Sequence, residues 1–404
     1  MENSKLVPWA KLSLLSIVIV ALYGMIMRYK IAFDFPYLNQ KNLLIAHFHF
    51  AIIGWVSHLL YSNLLLGIQP YLPSKNVKKY NRLIVANLLS AFGMLGAFTI
   101  KGYGPVSFTF YTFSVVIALV FTVFYIKEVG NFPIAYKKSR PWAVTGLLLN
   151  VVSSVGPLTL VYMMVTKHIH QELYLASVYY YLHFQYSGWF FFGTMAIVLS
   201  NLPVENLPIK KYFQLFAFTV FPTYFLSTLW AKIPLWLYVV TVIATLLQLA
   251  AWISLLVKLM PIFSQMKQKL QYRWLNVFFY VAALALTIKF ILQTISIIPQ
   301  LSQLVFGFRP IVIAYLHLVF LGVYSLFFVG YLFAKGFIYP SKIAMITAFA
   351  FLTGVFLNEL LLAIQGFAAF AYIPIPFVNE MLFGIAVLLW GSALGLLLSQ
   401  FKEQ

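Results

Sequence analysis

The stretch His47-Phe48-His49-Phe50-Ala51-Ile52-Ile53-Gly54-Trp55 places two histidines inside a run apolar enough to lie in a bilayer. An imidazole in hydrocarbon is costly unless it pairs, lines a cavity or holds a metal, so a histidine here is read first as functional. The pattern of histidine, then glycine five residues on, then a large apolar residue returns at His183…Gly188-Trp189 and at His317…Gly322-Val323. His49, His183 and His317 are separated by 134 residues each time, in a chain of 404. That period predicts three copies of one unit.

Apolar residues make up 63% of the chain and charged ones 9%, and mean hydropathy is +0.92. These values exclude a soluble globular protein. Repeated apolar runs of about 20 residues predict an all-α integral membrane protein. The first run, 7–27, follows no short charged leader and reads as a retained helix rather than a signal peptide. Cysteine is absent, which removes disulfides, thiolate metal sites and covalent haem attachment. The formal charge of +19 does not point to nucleic acid, because the cations lie in loops between spans. Membrane lipids with anionic headgroups are the expected partners there.

Twelve transmembrane helices are expected, over 8–27, 41–67, 80–101, 104–127, 141–166, 174–201, 212–231, 234–258, 274–297, 308–334, 341–365 and 376–400. The second, sixth and tenth carry the histidine pattern. The chain therefore reads as a single transmembrane domain, 1–404, of three four-helix units covering about 1–135, 136–270 and 271–404. Of the 27 Lys and Arg residues, 19 fall on one side of these spans and 7 on the other, leaving Lys289 inside the ninth. The bias puts both termini in the cytoplasm. In that topology His49, His183 and His317 lie roughly 12–14 Å below the outer surface, at 1.5 Å per helical residue.

Histidines from different helices at one depth suit a planar cofactor, since two axial imidazoles complete an iron's coordination. His47 and His49 are two positions apart, so they point to opposite sides of their helix and cannot both ligate from one face. A single membrane histidine is commonly just hydrogen-bonded to a neighbouring helix; the matched depth and period of three favour a cofactor. His58 lies three turns deeper, and His168 and His170 read as a solvated loop. Lys289 and Glu359 come near the same depth and are expected to pair, which lowers the cost of burying either.

Twelve spans with histidines on the second, sixth and tenth helices resemble the catalytic subunit of the haem–copper oxidase superfamily, which includes cytochrome c oxidases and bacterial nitric oxide reductases. The resemblance implies three four-helix arcs in a pseudo-threefold arrangement, in a bacterial inner membrane. It implies that His47 or His49 is the second-helix ligand of a low-spin haem. The internal repeat favours His49, whereas some relatives place this ligand seven residues before the equivalent glycine, which favours His47. On the tenth helix the family has His-x-His. Here Tyr315-Leu316-His317 puts His317 at the low-spin ligand, and Tyr315 replaces the high-spin one. His183 falls where the sixth helix supplies a copper ligand.

The departures are equally specific. Residues 212–231 hold no histidine pair to complete a copper site, and 366–375 lack the arginine pair that meets the haem propionates. The sixth helix has no carboxylate and the eighth no lysine on a proton path. The resemblance thus implies at most one bis-histidine haem b and no copper, with electron transfer, haem handling or gas and redox sensing as the role. Oxygen reduction coupled to pumping is not expected; any enzyme activity would be that of an oxidoreductase, served by a redox partner protein or oxidase-type subunits. The competing expectation is a histidine-lined transporter or channel without haem, although transporters commonly grow from two halves rather than three units.

Overall fold

The computed structural model describes residues 7–131, 136–266, 272–302 and 309–401. The expected unit boundaries near 135 and 270 lie outside the described residues, as does the side chain of Arg309. Among the described residues the chain is all-helical.

Helix α1 spans Val7–Ala32. Helix α2 is continuous but changes type, running as α-helix over Gln40–Phe50, π-helix over Ala51–Ser57 and α-helix over His58–Ile68. Asn39 starts it by accepting the backbone N–H groups of Lys41 and Asn42 on its side-chain oxygen. Helices α3 (Ser74–Lys101) and α4 (Pro105–Glu128) follow, separated by Gly102, whose positive φ of 62° ends α3. Helix α5 comes in two pieces, Arg140–Ser153 and Val155–Thr166. Helix α6 repeats the design of α2, as Gln171–His183, a π-helix over Phe184–Phe190, and Phe191–Asn201. Helix α7 is short, Ile209–Thr219, and tightens into a 3-10 helix over Pro222–Thr228. Then come α8 (Leu235–Met266) and α9 (Leu275–Ile295). Helix α10 is Arg309–His317, a π-helix over Leu318–Ser325, and Leu326–Ala334. Helices α11 (Lys342–Phe370) and α12 (Val378–Ser399) complete the chain.

Ten of these elements are long and apolar enough to cross a membrane, which makes this a multi-pass membrane protein. The two outside that set are α6 and α7. Tyr179, Tyr180, Tyr181, Gln185 and Tyr186 lower the hydropathy of α6, and Pro222 removes the amide that would continue α7 as an α-helix.

Successive helices pack side by side along the chain, and α12 packs on α1, so the sequence order closes into a ring. Helices α2, α6 and α10 meet inside it through their π-helical segments. Those segments begin at 51, 184 and 318, one or two residues after His49, His183 and His317, so the spacing of the histidines is followed within one residue by the backbone geometry. Each holds the glycine of the repeated pattern. A Cβ on Gly188 would come within 3.0 Å of Leu149 on α5, and one on Gly322 within 3.2 Å of Ala285 on α9. On Gly54 it would meet the ring of Phe50, one turn back, at 2.8 Å. The glycines of α6 and α10 thus admit a neighbouring helix, and that of α2 a side chain one turn back.

Polar contacts tie the three segments together. Trp55 Nε1 donates to Ser325 Oγ (2.9 Å), and Trp189 Nε1 donates to Ser57 Oγ (3.0 Å). Tyr324 donates its hydroxyl hydrogen to the Tyr186 carbonyl, with Phe190 packed edge-on to Tyr324 and Phe320. Around this centre Trp55, Trp142, Trp189, Phe121 and Phe190 are almost fully buried.

Candidate functional site

The two histidines of the opening stretch point to different places. His47 Nδ1 lies 3.0 Å from the carbonyl oxygen of Val20 on α1. A carbonyl can only accept, so Nδ1 carries the hydrogen and Nε2 keeps its lone pair. His317 makes the same choice, with Nδ1 2.8 Å from the Ile313 carbonyl one turn back on α10. His47 and Arg28 are the ionisable side chains that bear electrostatically on His317. Of the two, it is His47 that lies within electrostatic range of His317, and in each ring Nε2 is the nitrogen left with a lone pair.

The surroundings of this pair are loosely closed. Residues 21–28 of α1 and 310–318 of α10 are partly accessible at every position, on all sides of each helix, while the π-helical segment that follows in α10 turns largely buried. Gly24 faces His47, where a Cβ would stand 3.6 Å from Cε1. A planar group between α1, α2 and α10 would thus meet two anchored imidazoles and a glycine, with the guanidinium of Arg28 nearby.

His49 turns the other way, into a packed aromatic nest. Its ring stacks on Phe98 at 4.9 Å and 8°, and stands edge-on to Tyr111 at 5.6 Å. It is buried and its Nδ1 has no hydrogen-bond partner. His183 uses its other nitrogen: Nε2 lies 2.7 Å from the Val220 carbonyl, so Nε2 is the protonated one. Phe184, Tyr186 and Tyr224 enclose its ring. The layer of three equivalent histidines thus divides into three separate environments. Tyr315 lies on the opposite side of α10 from His317, its ring 6.0 Å from that of Tyr186.

The expected Lys289–Glu359 pair does not form among the described residues. Matched depth put them in one layer, but depth says nothing about which way each side chain faces. Lys289, 3% exposed, donates to Ser187 Oγ (3.1 Å) and Gln293 Oε1 (2.6 Å), with Nζ 4.2 Å from the centre of the Phe290 ring. Gln293 passes the network to Gln248 (2.9 Å), and Gln248 to Thr223 on the 3-10 turn of α7 (3.3 Å). These side chains fill the region between α6, α7, α8 and α9, beside His183. Glu359 instead accepts from its neighbour Asn358 (3.1 Å).

His58 is buried edge-on to Trp9, with ring centres 5.7 Å apart. His168 and His170 are exposed at the start of α6. Among the described residues, no three His, Asp or Glu side chains converge as a metal site.

Sequence reading missed a second polar feature, a cavity within the bundle between α2, α3, α4, α5 and α6. Gln185 donates to Asn150 Oδ1 (2.9 Å) and Ser153 Oγ (2.7 Å), and Asn150 donates to Tyr61 Oη (2.6 Å). The walls carry hydroxyls and amides but no charged side chain. Its sequence signal is a scatter of polar residues inside apolar runs, Ser57, Asn87, Ser114 and Gln185 beside the set Asn150, Ser153 and Ser154. The anchoring carbonyls of Val20 and Ile313 leave no sequence signal at all.

No protein-family model matches the chain, and no curated protein matches it.

Proposed function

We propose that the chain holds a single b-type haem between His47 and His317 and serves as an electron-transfer or redox-sensing membrane protein, built as a reduced relative of the haem–copper oxidase catalytic subunit. One observation carries this reading: two imidazoles on different helices each spend Nδ1–H on a backbone carbonyl and leave Nε2 free for iron. Such anchoring fixes tautomer and ring direction and raises ligand basicity. The bound group would supply one-electron chemistry. His47 and His317 would hold it, and the Arg28 cation, which bears electrostatically on His317, would offset negative charge on the group.

The wider architecture belongs to the same proposal. Twelve spans in three four-helix units, with both termini in the cytoplasm of a bacterium, are supported by the ring closure of α12 on α1, the three equivalent π-helical segments and the lysine bias between the two sides. The Lys289–Gln293–Gln248–Thr223 network supports a site without copper, because it fills the region beside His183 with hydrogen-bonded side chains.

The second reading is a histidine-lined transporter or channel without haem; the polar cavity between α2 and α6 has room for about one water molecule, which supplies a wet spot in the bundle rather than a path. Absorption spectroscopy of haem-replete, purified protein separates the two. The proposal expects a reduced low-spin b-type spectrum that disappears in His317→Ala; no Soret band in either protein rejects it.

A further inference from the structure

Helix α3 begins with the sequence Ser74-Lys75-Asn76-Val77-Lys78-Lys79-Tyr80-Asn81-Arg82. Lys75, Lys78, Lys79 and Arg82 recur at the spacing of a helix face, and at 100° per residue they fall within an arc of about 100°. All four are exposed. The buried side of the same helix, marked by Tyr80, Ile84, Ala91 and Phe98, lies diametrically opposite. The cations therefore point away from the bundle. Among the described residues none of the four forms an ion pair, and Lys79 reaches only the Phe124 ring on α4 (5.6 Å).

Farther along α3 the exposed arc becomes apolar, through Val85, Leu89 and Ile100. Arg82 and Lys101 bracket that stretch. Nineteen residues at 1.5 Å span about 28 Å, close to the roughly 30 Å hydrocarbon thickness of a bilayer. The seven residues from Lys75 to Arg82 then add about 10 Å, which places the cations in the headgroup layer and just beyond it. Helix α3 has no acidic residue in its first turn and no side-chain cap at its start. The Glu128 carboxylate of α4 accepts from Asn76 in that turn (2.6 Å), so the positive charge of this end rests on the four cations.

We infer that this face of α3 is a binding site for an anionic phospholipid, its phosphate held by Lys75, Lys78, Lys79 and Arg82 and its acyl chains lying along Val85, Leu89 and Ile100. The continuous apolar stripe selects a lipid over a soluble phosphate, since only a lipid occupies both halves of the surface. The inference does not depend on haem binding.

The test is native mass spectrometry of full-length protein released from nanodiscs holding equal amounts of phosphatidylglycerol and phosphatidylethanolamine. Wild type should retain phosphatidylglycerol, and the variant K75Q/K78Q/K79Q/R82Q should retain at least tenfold less. The variant K210Q/K211Q/K258Q/K342Q removes four other exposed cations and should behave as wild type. The milder K78Q/K79Q should give an intermediate loss and serves if the fourfold variant does not fold. Equal loss in both fourfold variants, or equal retention of both lipids by wild type, overturns the inference. Displacement of the lipid by millimolar inorganic phosphate also overturns it, in favour of a soluble-anion site.

Discussion

The Trp55–Ser325 hydrogen bond joins α2 to α10, the two helices that carry His47 and His317, eight residues past each histidine. At 1.5 Å per residue it lies about 12 Å deeper, so it acts as a clamp beneath the proposed axial pair. Trp55 is 2% exposed, and its Nε1 has Ser325 Oγ as its partner. Ser325→Ala removes that acceptor and leaves a buried N–H unsatisfied, a loss of about 1–3 kcal/mol. Trp55→Phe removes the donor together with part of a buried ring, at a cost of about 2–4 kcal/mol when the cavity is included. Once Ser325→Ala is made, Trp55→Phe loses less, because the hydrogen bond is already gone and the indole N–H it removes is unsatisfied. A double-mutant cycle should then give a coupling of about 0.6–1.5 kcal/mol, the range of interhelical hydrogen bonds in membranes. Reversible denaturation of the four proteins in mixed micelles, followed by tryptophan fluorescence with circular dichroism as a second probe, measures it. Additivity within about 0.3 kcal/mol would refute the clamp. A coupling of the predicted size with an unchanged haem spectrum in Ser325→Ala would show that it stabilises the helix pair without setting the ligands.

Other predictions follow from the packing. A Cβ on Gly156 would fall 2.4 Å from the Ser177 carbonyl oxygen, so Gly156→Ala must push α5 off α6 and should cost about 3 kcal/mol or more; Gly96→Ala meets no atom within 4 Å and should be neutral or stabilising by up to about 1 kcal/mol in the same denaturation assay. Equal effects would contradict the α5–α6 contact. Gln293→Leu strips Lys289 of its 2.6 Å acceptor and breaks the link to Gln248, and should destabilise by about 2–3 kcal/mol, while the paired change Lys289→Met with Gln293→Leu should recover part of that loss. If the double variant is worse than the sum of the singles, the network argument fails. His49→Phe should leave any haem spectrum intact, because His49 stacks on Phe98 away from His317; loss of the spectrum there would move the ligand to His49.

Much of the architecture was legible in the residues themselves. Apolar runs marked the helices, and a π-helical segment begins one or two residues after each of the spaced histidines His49, His183 and His317. The geometry itself was hidden, since a π-turn in an apolar helix has no compositional mark. Helix α7 was overestimated because hydropathy over 212–231 is blind to Pro222, which shortens the helix through a missing N–H. At the site, helical periodicity separated His47 from His49, but it could not say which of the two faced α10. That choice rests on the Val20 and Ile313 carbonyls, which every residue possesses and no sequence displays. The Lys289–Glu359 expectation failed for a related reason: spans give depth, whereas rotation about each helix axis is set by packing.

The most direct measurement is the absorption spectrum of the purified, haem-replete chain beside His47→Ala, His317→Ala and His49→Ala. A bis-histidine b-type haem predicts one low-spin reduced spectrum in the wild type and in His49→Ala, abolished or converted to high spin in the other two. No Soret band in the wild type, or a spectrum lost with His49 and kept without His47, would contradict the account.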